Sequence, residues 1–178
     1  GVVTFPGMIL WGATQNGPAV LPGNYQVRLT AYGVTQTQPF TVLKHPLRPI
    51  SDADLQFQWD LASRIRDKVN EANLAVIRIR RIKIDIAERI KDAPAEVRSA
   101  GERLAKALSA VEEDVYQVKN QSGQDPLNFP IKTNNRLASL LRVAVFGEGR
   151  PTGNVEPIFN DLVAELKAET DRLDQTIA

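Results

Sequence analysis

Between Ser51 and Asp92 the chain carries no glycine and no proline, and this unbroken run constrains the fold more than any other feature. Apolar residues recur along it at Ala62, Ile65, Val69, Ala72, Val76, Ile79, Ile86 and Ile90, in steps of three and four interrupted only by Lys83. That period puts one apolar stripe on an α-helix. Ser51 is placed to cap its start, with Asp52 and Asp54 at the positive end of the helix dipole. Roughly 40 residues at ~1.5 Å each make a rod about 60 Å long. Such a rod is not stable alone; its stripe needs partners.

The partners follow along the chain. Ala93-Pro94 restarts the backbone, and Val97, Gly101, Leu104, Leu108, Val111, Val115 and Val118 repeat the spacing up to Asn120. Gln121–Pro130 reads as a loop broken by Gly123, Pro126 and Pro130. Ile131, Ala138, Leu141 and Val145 mark a shorter helix, and Gly147–Gly153 ends it. A last helix runs from Asn154 through Phe159, Leu162, Leu166, Leu173 and Ile177. Short connections make successive helices antiparallel neighbours, so residues 49–178 are expected to form an up-down-up-down four-helix bundle in a mainly α fold.

Residues 1–48 have a different composition: six glycines, five prolines and little charge. Asn24–Ala31 alternates, with Tyr25, Val27, Leu29 and Ala31 on one face and Gln26, Arg28 and Thr30 on the other, the period of a half-buried strand. Tyr32-Gly33 supplies a turn, and Val34–Val42 reads as the returning strand with Phe40 and Val42 inward. Pro39 places that strand at an edge or beside a bulge. Met8–Trp11 is a further short strand candidate. His45–Pro49 forms an extended connector to the helices. A few strands cannot close a sandwich. Residues 1–48 are therefore read as a small N-terminal antiparallel β region, a partial Ig-like sandwich. Its missing strands come either from before Gly1 or from a partner.

Twenty-two basic and 21 acidic residues leave a net charge of +1, which gives no field for nucleic acid. There is no cysteine, so disulfides and thiolate metal sites are excluded. No apolar run approaches the ~20 residues of a membrane span, and no basic stretch followed by an apolar one marks a signal peptide within these residues.

Each residue that suggests chemistry also has a structural explanation. Glu112-Glu113-Asp114 is the densest acidic cluster, but neighbours on a helix diverge, and it reads as a solvated face. His45 is the sole histidine and lies in the connector, without ligand spacing around it. Arg78, Arg80, Arg81 and Lys83 spread around a helix and are expected to pair with acids such as Glu88, Glu165 or Glu169. Gly147–Gly153 lacks the lysine of a phosphate loop and reads as a helix–helix turn. Asn134 and Asn135 are expected near the core, holding the loop Asp125–Pro130 against the helices. Trp59 is expected at the junction with the β region. No catalytic, cofactor-binding or metal residue is assigned, and no cofactor. Trp11, Tyr25 and Tyr32 remain as a possible stacking surface for a ligand.

Several stretches resemble a known family. Phe5-Pro6-Gly7-Met8-Ile9-Leu10-Trp11 and Leu21-Pro22-Gly23-Asn24-Tyr25-Gln26-Val27-Arg28-Leu29 are similar to the end of large bacterial sortilin-like proteins, often labelled BNR-repeat proteins or glycosyl hydrolases. So are Ser51-Asp52-Ala53-Asp54-Leu55, Gly123–Ile131 and Asn134-Asn135-Arg136-Leu137. The resemblance implies a β-propeller upstream, then an Ig-like module, then a helical C-terminus, in a periplasmic or extracellular protein. Any hydrolase chemistry would belong to the propeller. The expected role is a non-catalytic structural or protein-interaction module, partnered by the upstream propeller and possibly a homodimer. The rival expectations are an accessory part of a glycoside hydrolase-like enzyme and a carbohydrate- or peptide-binding module.

Overall fold

The computed structural model describes all residues, 1–178, and is mainly helical with one two-stranded antiparallel sheet. Helix α1 spans Asp52–Ile90, one unbroken rod of 39 residues. Its start is locked as the sequence suggests: Ser51 Oγ accepts the Asp54 N–H at 3.1 Å and donates to the Asp54 carboxylate at 2.6 Å. Helices α2 (Ala95–Val115), α3 (Thr133–Ala144) and α4 (Val155–Ile177) follow, with a single 3₁₀ turn at Asp125–Leu127 between α2 and α3.

All four helices enclose one core. Helix α1 packs against each of the other three, and α4 also packs against α2 and α3. Leu61, Ile65, Val69, Val76 and Ile79 of α1 meet Leu108, Val111, Leu137, Leu141, Leu162 and Leu166, all essentially without solvent exposure. Beyond Ile79 the rod is less covered, with Ile86 and Ile90 half-buried. There α2 comes close because it presents Gly101: a Cβ at that position would lie 2.5 Å from Ile90 Cγ2 and 3.3 Å from Ile86 Cγ2.

Strands β1 (Gly23–Ala31) and β2 (Val34–Val42) form a continuous hairpin with no bulge, Ala31 opposite Val34 and Gly23 opposite Val42. Pro39 therefore occupies an edge. Tyr32 (φ 51°) and Gly33 (φ 79°) make the two-residue turn, both left-handed, which suits the twist of the strands. No helix packs along either strand, and only the root of the hairpin, at Val42, borders a cleft with α1. Of the residues expected to face inward, Val27, Leu29 and Phe40 face solvent instead, between 47% and 67% exposed, and only Tyr25 and Val42 near the hairpin root are half-buried. Alternation along a strand reports that one face is apolar; it does not supply the layer that would cover it.

Met8–Trp11 forms no strand. Residues 1–16 instead run as an irregular strap across the helices, with Phe5 inserted into the core. Helix α2 also ends earlier than its spacing suggests. Tyr116 turns extended (φ −134°, ψ 141°), and Val118 is left partly exposed. The strap explains that departure, because the extended backbone brings the Tyr116 hydroxyl to it.

Candidate functional site

The polar chemistry of this chain is concentrated where the strap crosses the helices. The strap has no strand partner, so most of the hydrogen bonds that fix its backbone to the helices go to side chains. Val3 donates its N–H to Asn70 Oδ1 (2.6 Å) and accepts from Asn73 Nδ2 (2.8 Å). Tyr116 donates its hydroxyl proton to Gly7 O (3.0 Å) while accepting the Ile9 N–H (3.1 Å). Trp11 is clamped twice by one amide, donating to Asn135 Oδ1 (2.7 Å) and accepting from Asn135 Nδ2 (2.8 Å). Asn134 donates to Asn73 Oδ1 at 3.1 Å, joining the clamps through the core. Asn134 and Asn135 are buried as expected, but they hold the strap and not the loop 125–130. That loop is tied by Gln117, whose Nε2 donates to Pro130 O.

Beside the strap lies an ion cluster absent from the sequence reading. Glu112 is not solvated; it is 4% exposed and accepts from Arg80 Nε at 2.7 Å and Lys83 Nζ at 3.0 Å. Lys83 breaks the stripe of α1 because a carboxylate faces it. Arg80 also lies over the rings of Phe5 (4.8 Å) and Tyr116 (5.4 Å), which themselves meet edge to face at 5.1 Å. The other basic residues depart from expectation too: Arg78 pairs with Asp174, and Glu165 is taken by Arg136. Arg81 is exposed. Of the acidic triplet, Asp114 pairs with Arg172 and Glu113 faces solvent.

The nearest approach to an acid pair is Glu165 and Glu169, four apart on α4. Thr133 Oγ1 lies 2.7 Å from an oxygen of each. A hydroxyl carries one proton, so it donates to one carboxylate only. The second contact becomes a hydrogen bond when Glu169 is protonated. Burial raises the Glu169 pKa above its usual 4.5; the Thr133 hydrogen bond opposes this, and the charges of Glu165 and Asp114 reinforce it. Thr133 lies between the two acids, and neither borders the cleft at the hairpin root.

That cleft, about 310 Å³, lies at the junction of the hairpin root, the connector and the start of α1. Pro18–Pro22, Val42, Leu43, Ile50, Leu55, Trp59 and Val145 give it an apolar lining. Trp59 sits half-buried at this junction, as expected. The polar groups around the cleft are already engaged. Gln58 Nε2 donates to Ala144 O (2.9 Å) and Gly147 O (3.1 Å), and Lys44 binds Asp52 at 2.8 Å. His45 Nδ1 accepts the Leu47 N–H at 3.2 Å and has no acidic partner. Gly147 (φ 76°) and Gly149 (φ 135°) turn the chain between α3 and α4. The cleft can bury a small apolar group; it holds no convergent pair of reactive groups.

Trp11, Tyr25 and Tyr32 do not come together. Trp11 is fixed on α3 by Asn135. Tyr25 stacks on Phe40 at 5.8 Å and donates its hydroxyl to Leu21 O. Tyr32 sits fully exposed at the tip, seven residues from Tyr25, which is about 23 Å along a strand. No group of three or more His, Asp or Glu side chains is placed to hold a metal, and no helix is long and apolar enough to cross a membrane. No known protein family, curated protein or solved structure matches the chain.

Proposed function

We propose that this chain is a non-catalytic structural or protein-interaction module, belonging at the C-terminus of a larger secreted β-propeller protein. The observation that carries this reading is the contrast between its two parts. The helices and strap enclose a buried apolar core and pair their clustered charges, leaving side chains such as Leu74, Ile84 and Phe146 outside it, while the hairpin has no core and presents an uncovered apolar face. An uncovered apolar face of that kind marks a contact surface. The finer fold reading goes with it: the helices are taken as an up-down-up-down bundle and the hairpin as the last part of an Ig-like sandwich. The resemblance of Phe5–Trp11, Leu21–Leu29 and Gly123–Ile131 to sortilin-like proteins supplies the propeller and the periplasmic or extracellular location. Turnover of chromogenic glycosides tests the reading. No hydrolysis above that of a Glu165→Gln/Glu169→Gln double variant is expected. Turnover abolished by that substitution overturns the reading in favour of an enzyme.

A further inference from the structure

The two edges of the hairpin are not equivalent, and the difference follows from one proline. Gln26 is opposite Pro39, which has no N–H, so this pair cannot exchange ladder hydrogen bonds. The two-residue turn sets the same phase from the other end: Ala31 and Val34 close it as a hydrogen-bonded pair, and pairs alternate from there. The side-chain bonds Thr30–Thr35 (2.9 Å) and Thr41–Asn24 (2.9 Å) join residues of the non-bonded pairs, whose side chains lie closer together. Asn24, Gln26, Arg28 and Thr30 therefore turn their backbone N–H and C=O groups outward along β1. On β2 the outward positions are Thr35, Thr37, Pro39 and Thr41, and Pro39 interrupts their row of donors. The edge of β2 is blocked against a further strand and that of β1 is open.

We propose that a second copy of this chain occupies the open edge, β1 against β1 across a two-fold axis, giving a four-stranded sheet. The residues select the register. With Val27 on the axis, Gln26 meets Arg28 of the second copy, Asn24 meets Thr30, and the four outward pairs form about eight ladder bonds. On the apolar face Val27 meets Val27 and Tyr25 meets Leu29, an aromatic–aliphatic cross-strand pair. Moving the axis to Arg28 sets two guanidinium groups against each other. Moving it to Gln26 puts Thr30 opposite Pro22, which lacks a donor. The apolar face carries no charged residue, so the joined sheets extend it without repulsion, and three or more strands with an apolar face are stable where two are marginal. The joined edge is narrow, which places the contact in the transient class below about 1,200 Å².

This inference rests on the reading of the chain as an interaction module, but the two fail separately: a strict monomer refutes the dimer alone, and turnover refutes the module alone. The test is sedimentation of the intact chain from micromolar to millimolar concentration, with two proline variants. A reversible dimer is expected for the parent chain and for Thr37→Pro, whose lost donor lies on the blocked edge, and a monomer for Gln26→Pro. Gln26 and Thr37 lie away from the hairpin root, and no helix packs along the hairpin, so the helical circular dichroism of both variants should match the parent. Because the chain has no cysteine, single-cysteine variants give an independent reading. Val27→Cys on the axis brings Cα atoms within about 4.5 Å, inside disulfide range, and should link rapidly on mild oxidation. Gln36→Cys on the outer strands, about 20 Å from its copy, should not. A monomer throughout, a dimer that survives Gln26→Pro, or equal linking of the two cysteine variants would overturn the proposal.

Discussion

Replacing Phe5 by alanine tests whether the strap belongs to the core. Phe5 is 7% exposed, packs edge to face on Tyr116 and lies beneath the Arg80 guanidinium. Losing a buried phenyl ring removes about 2–3 kcal/mol of transfer free energy. The aromatic pair adds about 1 kcal/mol. The cation over the ring adds about 0.5 kcal/mol at this partly exposed site. A loss near 3.5–4.5 kcal/mol follows, within the usual range for Phe→Ala in a core. In urea unfolding followed by helical circular dichroism, with a slope of ~2 kcal/mol/M, the midpoint should fall by about 1.7–2.3 M. Phe40→Ala is the matched control, since Phe40 lies on the uncovered hairpin face. It should shift the helical transition by less than about 0.5 kcal/mol. A Phe5→Ala cost below about 1 kcal/mol, or equal costs for the two variants, would refute the strap's place in the core.

Three further outcomes follow from the packing. Glu112→Ala leaves Arg80 and Lys83 without their carboxylate; both are about a third exposed and can rehydrate, so a loss of about 1–2 kcal/mol is expected in urea unfolding, with Glu112→Gln in between. Glu169 has a raised folded-state pKa, so the stability tied to its neutral form is complete below the usual 4.5 and declines as pH rises through the folded value. Glu169→Gln should flatten that decline in melts across pH 4–8, with the variant gaining on the parent as pH rises. Gly101→Ala gains about 1 kcal/mol in helix propensity but drives a methyl into Ile90, and overpacking of about 1–3 kcal/mol should make the net change destabilising. Pairing it with Ile90→Ala should restore the propensity gain, which a double-mutant cycle would read directly.

The helical rod was legible because its evidence is local: the absence of glycine and proline, the stripe at three- and four-residue steps, and a capping serine. The strap was not, because its partners lie far away in sequence. Val3 binds residues 67 and 70 positions on, and Trp11 binds one 124 positions on. An apolar stretch such as Met8–Trp11 looks the same whether its backbone meets a strand or a row of side-chain amides. Asn70, Asn73 and Tyr116 carried a readable signal in being polar on faces otherwise apolar. Lys83 and Glu112 carried another, as stripe defects of opposite charge on helices that pack together. Reading Glu112 with its acidic neighbours, as a run, hid its place between Leu108 and Val115 on the buried face. For the hairpin, the alternation and turn chemistry defined two strands and one apolar face, and nothing in a strand's own period says what lies against that face.

Amide hydrogen exchange at micromolar concentration, where the hairpin is unpaired, tests the central division most directly. The amides of Val3, Ile9 and Trp11 should exchange slowly, together with those of Leu61–Ile79 in α1, and the outward amides Gln26 and Arg28 of β1 should exchange orders of magnitude faster. Strap amides exchanging as fast as those of β1 would contradict a closed core of helices and strap beside an open hairpin.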